Sequence, residues 1–244
     1  MKLKRIFAAV LAAAMLLSFA GCANKDTKGD SSEPAGEQTT EERTTEPQTN
    51  EDGSLVKPKN AVSVSDDVKI KTYSGTSLIE ISNRVMEPYG NAYKNMKNYA
   101  DALNRLKAEM PDTTAYCLMA PTAIEFYAPS KYNTGVSKSQ YEGMCYIYEQ
   151  LKDITPVNAY AEMAAHTDEY LYFRSDHHWT TLGAYYAYRT FAKVAWFTPV
   201  DKNTLQTGKL SPFLGLFYKD TKSTALSNDP DYVEYFIPPV NTTA

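Results

Sequence analysis

The chain has 244 residues, 43% of them hydrophobic and 22% charged, with a formal net charge of −4 at pH 7. An acidic balance gives no means of neutralising a phosphate backbone, so nucleic acid is excluded as a partner. Three cysteines are too few for a disulfide-stapled scaffold, so the fold must rest on a hydrophobic core.

In chain order, Met1-Lys2-Leu3-Lys4-Arg5 is cationic, and an apolar run without charge follows from Ile6 to Ala20. That run is shorter than the roughly twenty residues of a spanning helix and fits the core of a signal peptide. Its exit, Phe19-Ala20-Gly21-Cys22, resembles the bacterial lipobox. Residues 1–21 are therefore expected to be a lipoprotein signal peptide, and Cys22 to be the lipidation site. Removing Lys2, Lys4 and Arg5 takes the formal charge from −4 to −7. Residues 22–68 are expected to form a disordered tether, because their Ser, Thr, Glu, Pro and Gly bury too little apolar surface to offset the entropy of ordering. The N-terminal lipid would then be the membrane contact, and the protein would sit extracytoplasmically, anchored to the cell membrane. Cys117 and Cys145 lie among apolar neighbours and read as buried thiols in preference to a disulfide.

Residues 69–244 are expected to hold one domain. Met96, Tyr99, Ala100, Leu103, Leu106 and Met110 recur at helical spacing within Asn91–Met110, and Pro111 ends that helix. Ala115 to Ala120 reads as a strand buried on both faces. Ser137 is placed to cap a helix with the stripe Tyr141, Met144, Cys145, Tyr148 and Leu151. Pro156–Ala159 reads as a short strand, Tyr160–Ala165 as a helical turn or two, and Tyr170–Phe173 as a third strand. Thr180 or Thr181 is placed to cap a helix through Val194, while 202–244 reads as loop. Helices alternating with short apolar strands predict an α/β fold with a mainly parallel sheet, whose reactive groups gather at the carboxyl ends of strands.

All three histidines, His166, His177 and His178, fall within thirteen residues. In extended backbone Asp176 and His178 share one face and His177 takes the other. A carboxylate beside an imidazole fixes its tautomer and stabilises the imidazolium, which suits a general base for hydroxyl activation. The bland alternative is a surface or capping pair. His177, Trp179, Arg174 and Tyr172 are candidate site-lining residues; Arg174 reads first as a partner for a carboxylate, and His177 as a packed histidine. His166 and Asp168 add metal-ligand types, but the further aspartates of a two-metal centre are missing from the sequence, so neither metal nor cofactor is expected.

The segment Tyr172-Phe173-Arg174-Ser175-Asp176-His177-His178-Trp179-Thr180, followed by Leu182-Gly183-Ala184-Tyr185, resembles the signature of the DHHW family of bacterial lipoproteins. That family is similar to SGNH-type hydrolases and to alginate O-acetyltransferases, and Met119-Ala120-Pro121-Thr122 is similar to their Ala-Pro-Thr segment. The resemblance implies a three-layer SGNH-like fold, with Asp176 as orienting acid and His178 as base of a Ser-His-Asp triad acting on a cell-surface polysaccharide. A transmembrane acyl-transfer partner is compatible with it, of unspecified identity. In that pattern the nucleophilic serine follows the His-Trp block in an Asp-Ser segment. Ser211, Ser223 and Ser227 lack that context, so the chain is expected to be incomplete at its C-terminus, either as a fragment or as a shortened form, and inactive as an acyl-ester hydrolase or O-acetyltransferase. The alternative is a non-catalytic glycan-binding or scaffold lipoprotein; a solute-binding lipoprotein ranks last because the chain is short for two lobes.

Overall fold

The computed structural model describes residues 48–49, 55–90, 92–135 and 137–237. The expected signal peptide, Cys22 and most of the expected tether lie outside the described residues. The strands run β1 (Gln48–Thr49), β2 (Leu55–Val56), β3 (Ile70–Thr72), β4 (Ile79–Ile81), β5 (Arg84–Met86), β6 (Tyr116–Leu118), β7 (Thr155–Val157), β8 (Gln206–Phe213) and β9 (Asp231–Ile237). The helices run α1 (Tyr93–Glu109), α2 (Ala123–Tyr127), α3 (Ser130–Gly135), α4 (Gln140–Gln150), α5 (Tyr160–Ala164), α6 (Thr181–Val194), α7 (Leu216–Thr221) and α8 (Thr224–Asn228).

Helix and strand do alternate, as the sequence pattern predicts, but a mainly parallel sheet is not what the described residues form. They build four small sheets, and only β6 and β7 pair in parallel; β1–β2, β3–β4–β5 and β8–β9 are antiparallel. The parallel pair occupies the two expected apolar strands. The expected strand at Tyr170–Phe173 reduces to a single bridge between Tyr172 and Trp179, because the loop beyond it bonds to side chains instead of a neighbouring strand. The expected loop at 202–244 contains the long β8–β9 ribbon, α7 and α8. The run of β-branched and aromatic residues in Asp231–Ile237, Tyr232, Val233, Tyr235, Phe236 and Ile237, suits a strand.

The helices form where apolar spacing places them, but in α1 only part of the stripe is buried. Met96 and Ala100 of α1 are buried with Ile147 of α4, whereas Tyr99, Leu106 and Met110 stay exposed. Helix α4 starts two residues later than a Ser137 cap would place it: Ser139 accepts the Glu142 amide as its cap. Ser137 is buried and accepts the Tyr89 amide at 3.0 Å. Thr180 caps α6 by accepting the Gly183 amide.

The main core is aromatic. Phe126, Tyr141, Tyr160 and Tyr172 are fully buried and touch ring to ring. Their hydroxyls need partners in that setting: Tyr160 donates to Glu125 at 2.9 Å and Tyr172 to the Pro121 carbonyl at 2.5 Å. Lys57 pairs with Glu125 at 2.7 Å, the Ala61 amide bonds the Ala164 carbonyl, and Asn60 donates to the Phe126 carbonyl. Residues 57–62 are therefore docked on the domain, which shortens the expected tether: apolar spacing gives no sign of a segment that adheres through backbone and polar contacts. No helix among the described residues is long and apolar enough to cross a membrane.

Cys117 and Cys145 are both buried and free. Burial raises both thiols, Cys145 to about 11, so neither carries the thiolate that reacts. Native alkylation with iodoacetamide followed by peptide mapping is expected to leave both unmodified, and alkylation in denaturant to modify both; native labelling of either would contradict the burial.

Candidate active site

The segment 171–180 folds back on itself. The Thr180 amide bonds the Leu171 carbonyl at 2.8 Å and the Phe173 amide bonds the His178 carbonyl at 3.3 Å, leaving Asp176-His177-His178 at the tip. The tip is fastened from three sides. Asp231, fully buried at the start of β9, accepts the Arg174 amide (2.9 Å), the Ser175 amide (2.7 Å), the Ser175 hydroxyl (2.6 Å), Arg174 Nε (3.0 Å) and the Tyr170 hydroxyl (2.7 Å). Arg84 of β5 donates to the Tyr172 and Phe173 carbonyls, and Val85 bonds the Arg174 carbonyl. The chain entering α7 closes the third side, with Gly215 N–H donating to Ser175 Oγ at 3.0 Å.

Within this frame Asp176 Oδ1 meets His178 Nδ1 at 2.6 Å and accepts the His178 amide at 3.1 Å, while Oδ2 accepts the Leu216 amide at 2.9 Å. Gly215 is required by contact, since a Cβ there would fall on the Asp176 carboxyl group. Burial pushes that carboxyl upward, but the Leu216 amide, the His178 ring and amide, and the nearby His177 outweigh it, so Asp176 lies below the ordinary carboxylate range. An ionised Asp176 fixes the proton of His178 on Nδ1 and leaves Nε2 as the basic nitrogen. The His178 side chain is 64% exposed, so a reactant can reach it.

The other expected residues divide. His177 does not point away: its Nδ1 lies 3.5 Å from the same Asp176 oxygen and its ring 3.9 Å from that of His178. The tip is bent, so strand alternation does not apply there. Tyr172 is buried and bonded to Pro121, which removes it from the site surface. Trp179 packs against the main core. Arg174 is structural, paired with Asp229 and Asp231. His166 stacks on Tyr186 at 3.8 Å and bonds Glu169 at 2.7 Å. Asp231, Leu216 and Gly215 escaped sequence reasoning because each acts from forty or more residues away. Asp176, His177 and His178 also offer ligand atoms within 4.8 Å of one another. The 2.6 Å approach of Asp176 to His178 is hydrogen-bond geometry, and an ion there would have to displace the shared proton.

Fold and tip together define an α/β domain that presents an exposed Asp-His dyad. Residues 44–244 match the DHHW protein family, and the chain belongs to that family. A DHHW family protein from Eubacterium siraeum has a similar structure (TM-score 0.64, 31% identity), the match covering 70% of this chain and 57% of that one. Bacillus cereus PatB1, solved with a sulfonyl adduct, is similar in fold (TM-score 0.52, 15% identity, 70% of this chain and 58% of that one). The O-acetyltransferase domain of Pseudomonas putida AlgJ follows at a TM-score of 0.46 and 13% identity, over 70% of this chain and 66% of that domain. The chain thus spans less than two thirds of the length of these structures. No curated protein matches it.

Asp176→Asn places an NH₂ group against either the Leu216 amide or His178, opposing donor to donor. A loss of about 1–3 kcal/mol at neutral pH is expected in urea unfolding. Because the folded carboxyl is depressed, its stabilisation is complete above the unfolded value of about 3.9 and fades as pH falls through the lower folded one. The gap between wild type and D176N should therefore narrow below about pH 4; a gap independent of pH would reject the assignment.

Proposed function

We propose that this domain carries the acid–base half of an acyl-transfer site: Asp176 orients His178, and His178 Nε2 takes the proton of a hydroxyl as its oxygen attacks an ester carbonyl. The imidazolium then returns the proton to the departing alkoxide as the ester C–O bond breaks, giving an acyl intermediate. An acceptor hydroxyl or water reverses the sequence, making the reaction O-acyl transfer or hydrolysis. One observation carries this reading, the 2.6 Å contact between a buried carboxylate and an exposed imidazole.

Membership of the DHHW family and the residues around the dyad support a cell-surface polysaccharide as the substrate. The protein would reach it as a lipoprotein anchored through Cys22 and displayed outside the cell, with a transmembrane acyl-transfer partner as donor. Metabolic labelling with palmitate is expected to mark the protein, and C22S to lose the label; a labelled C22S would reject the anchor.

Among the described residues no serine hydroxyl is hydrogen-bonded to His178. Ser175 is bonded to Asp231, Ser137 to the Tyr89 amide, and Ser223 caps α8. This favours, as a second reading, a glycan-binding or scaffold lipoprotein in which the dyad performs no turnover. The two part in the cell. Under the acyl-transfer reading, His178→Ala at the native locus lowers the dyad-dependent rate by about 10²-fold or more, and the base-labile acetate of the surface polysaccharide shifts from its wild-type level. Unchanged acetate in H178A would leave only the binding reading.

A further inference from the structure

A cavity of about 250 Å³ opens beside the dyad, lined by Met86, Tyr89, Thr122, Ile124, His177 and Phe217 among others. It draws its walls from the end of β5, the start of α2, the tip and α7. We propose that it is the subsite for one neutral, O-acylated sugar unit, with Thr122 and His177 as its hydrogen-bonding residues. The inference rests on the acyl-transfer reading for the ester's role, but its test reads binding alone.

Three observations carry it. The walls are mostly apolar, with an aromatic ring from Tyr89 and another from the buried Phe217, which suits the CH face of a pyranose and an acyl methyl. Thr122 is locked by an amide: its N–H donates to Gln140 Oε1 at 2.9 Å and its Oγ1 accepts from Gln140 Nε2 at 2.8 Å. Gln140 is itself held, its amide bonding Glu125 at 2.8 Å. With Oγ1 already accepting, the Thr122 hydroxyl hydrogen has no acceptor among the described residues and remains available to a ligand oxygen. Finally, the charge at the rim is negative. Glu87 lines the cavity, and no lysine or arginine does. The lining therefore offers no cation to pair with a uronate or phosphate, which favours a neutral sugar ester.

The volume sets the size. It falls below the roughly 300–1,000 Å³ of pockets for drug-sized ligands, enough for one acylated residue of a glycan and too little for an oligosaccharide. The position sets the chemistry, because the His177 ring at the cavity wall lies 3.9 Å from that of His178. An ester held at the mouth therefore sits beside the base.

Three histidines make the imidazole NMR spectrum of the full chain directly readable. Methyl 6-O-acetyl-glucopyranoside is expected to shift the His177 resonances and to show saturation transfer at its acetyl methyl, while His166, stacked on Tyr186, stays put. His177→Ala and Thr122→Val should each weaken its Kd by about tenfold, the worth of one hydrogen bond. His177 is exposed, so H177A keeps the test valid should T122V lose its fold. The methyl glucuronoside should not bind wild type, and Glu87→Gln should admit it. The proposal is overturned if the acetylated probe moves no histidine, if H177A binds it undiminished, or if wild type takes the glucuronoside equally well. Should binding hold while H178A leaves polysaccharide acetate unchanged, the subsite stands and the acyl-transfer reading falls. Acetate that tracks His178 without any probe binding keeps acyl transfer and removes the subsite.

Discussion

Asp231 holds the site in place. Its carboxylate is fully buried and gathers five donors from three residues of one segment, Tyr170, Arg174 and Ser175. Buried charge is tolerable only with such complete pairing, and removing one partner of a buried pair costs about 3–5 kcal/mol. Here the donors are the backbone and side chains that immediately precede Asp176. The amides of Arg174 and Ser175, which a neighbouring strand would normally satisfy, are satisfied by a side chain arriving with β9. The tip is thus free of any sheet and can bend, and the bend brings both His177 and His178 to one carboxylate oxygen.

A second carboxylate, Asp176, is arranged differently. Where Asp231 meets only groups that belong to the frame, Asp176 has one oxygen on the Leu216 amide and the other on an imidazole that faces solvent. The Leu216 amide and the absence of a side chain at Gly215 keep the carboxyl in place and ionised against its burial. That ionisation passes outward as a fixed tautomer on His178. Charge held in the interior is therefore expressed at the surface as basicity at one named nitrogen.

How much of this the sequence disclosed follows from range. The pairing of Asp176 with His178 is local, two residues apart, and the motif exposes it. Helices α1, α4 and α6 announce themselves through apolar spacing, which needs no knowledge of the rest of the chain. The direction of His177 was illegible because it depends on the bend, and the bend depends on Asp231, more than fifty residues on. The β8–β9 ribbon is obscured by Gly208, Pro212 and the charged residues between, although Asp231–Ile237 is rich in β-branched and aromatic residues. The docking of residues 57–62 was hidden for the opposite reason: a polar stretch can adhere through a lysine, an asparagine and two backbone amides without any apolar pattern.

Hydrogen-bonding capacity then separates frame from function. Glu125 and Asp231 meet buried tyrosines and backbone amides; Gln140 clamps Thr122 with both ends of its amide; Arg84 is held by carbonyls and the Tyr127 ring. What is left over in this neighbourhood is small: Nε2 of His178, the ring of His177 stacked beside it, and the hydroxyl hydrogen of Thr122, which lines the same cavity as His177. All three are open to solvent, so a ligand that met them would do so in exchange for water. The same side chains that fasten the tip so thoroughly are what make these remaining groups rigid enough to select one.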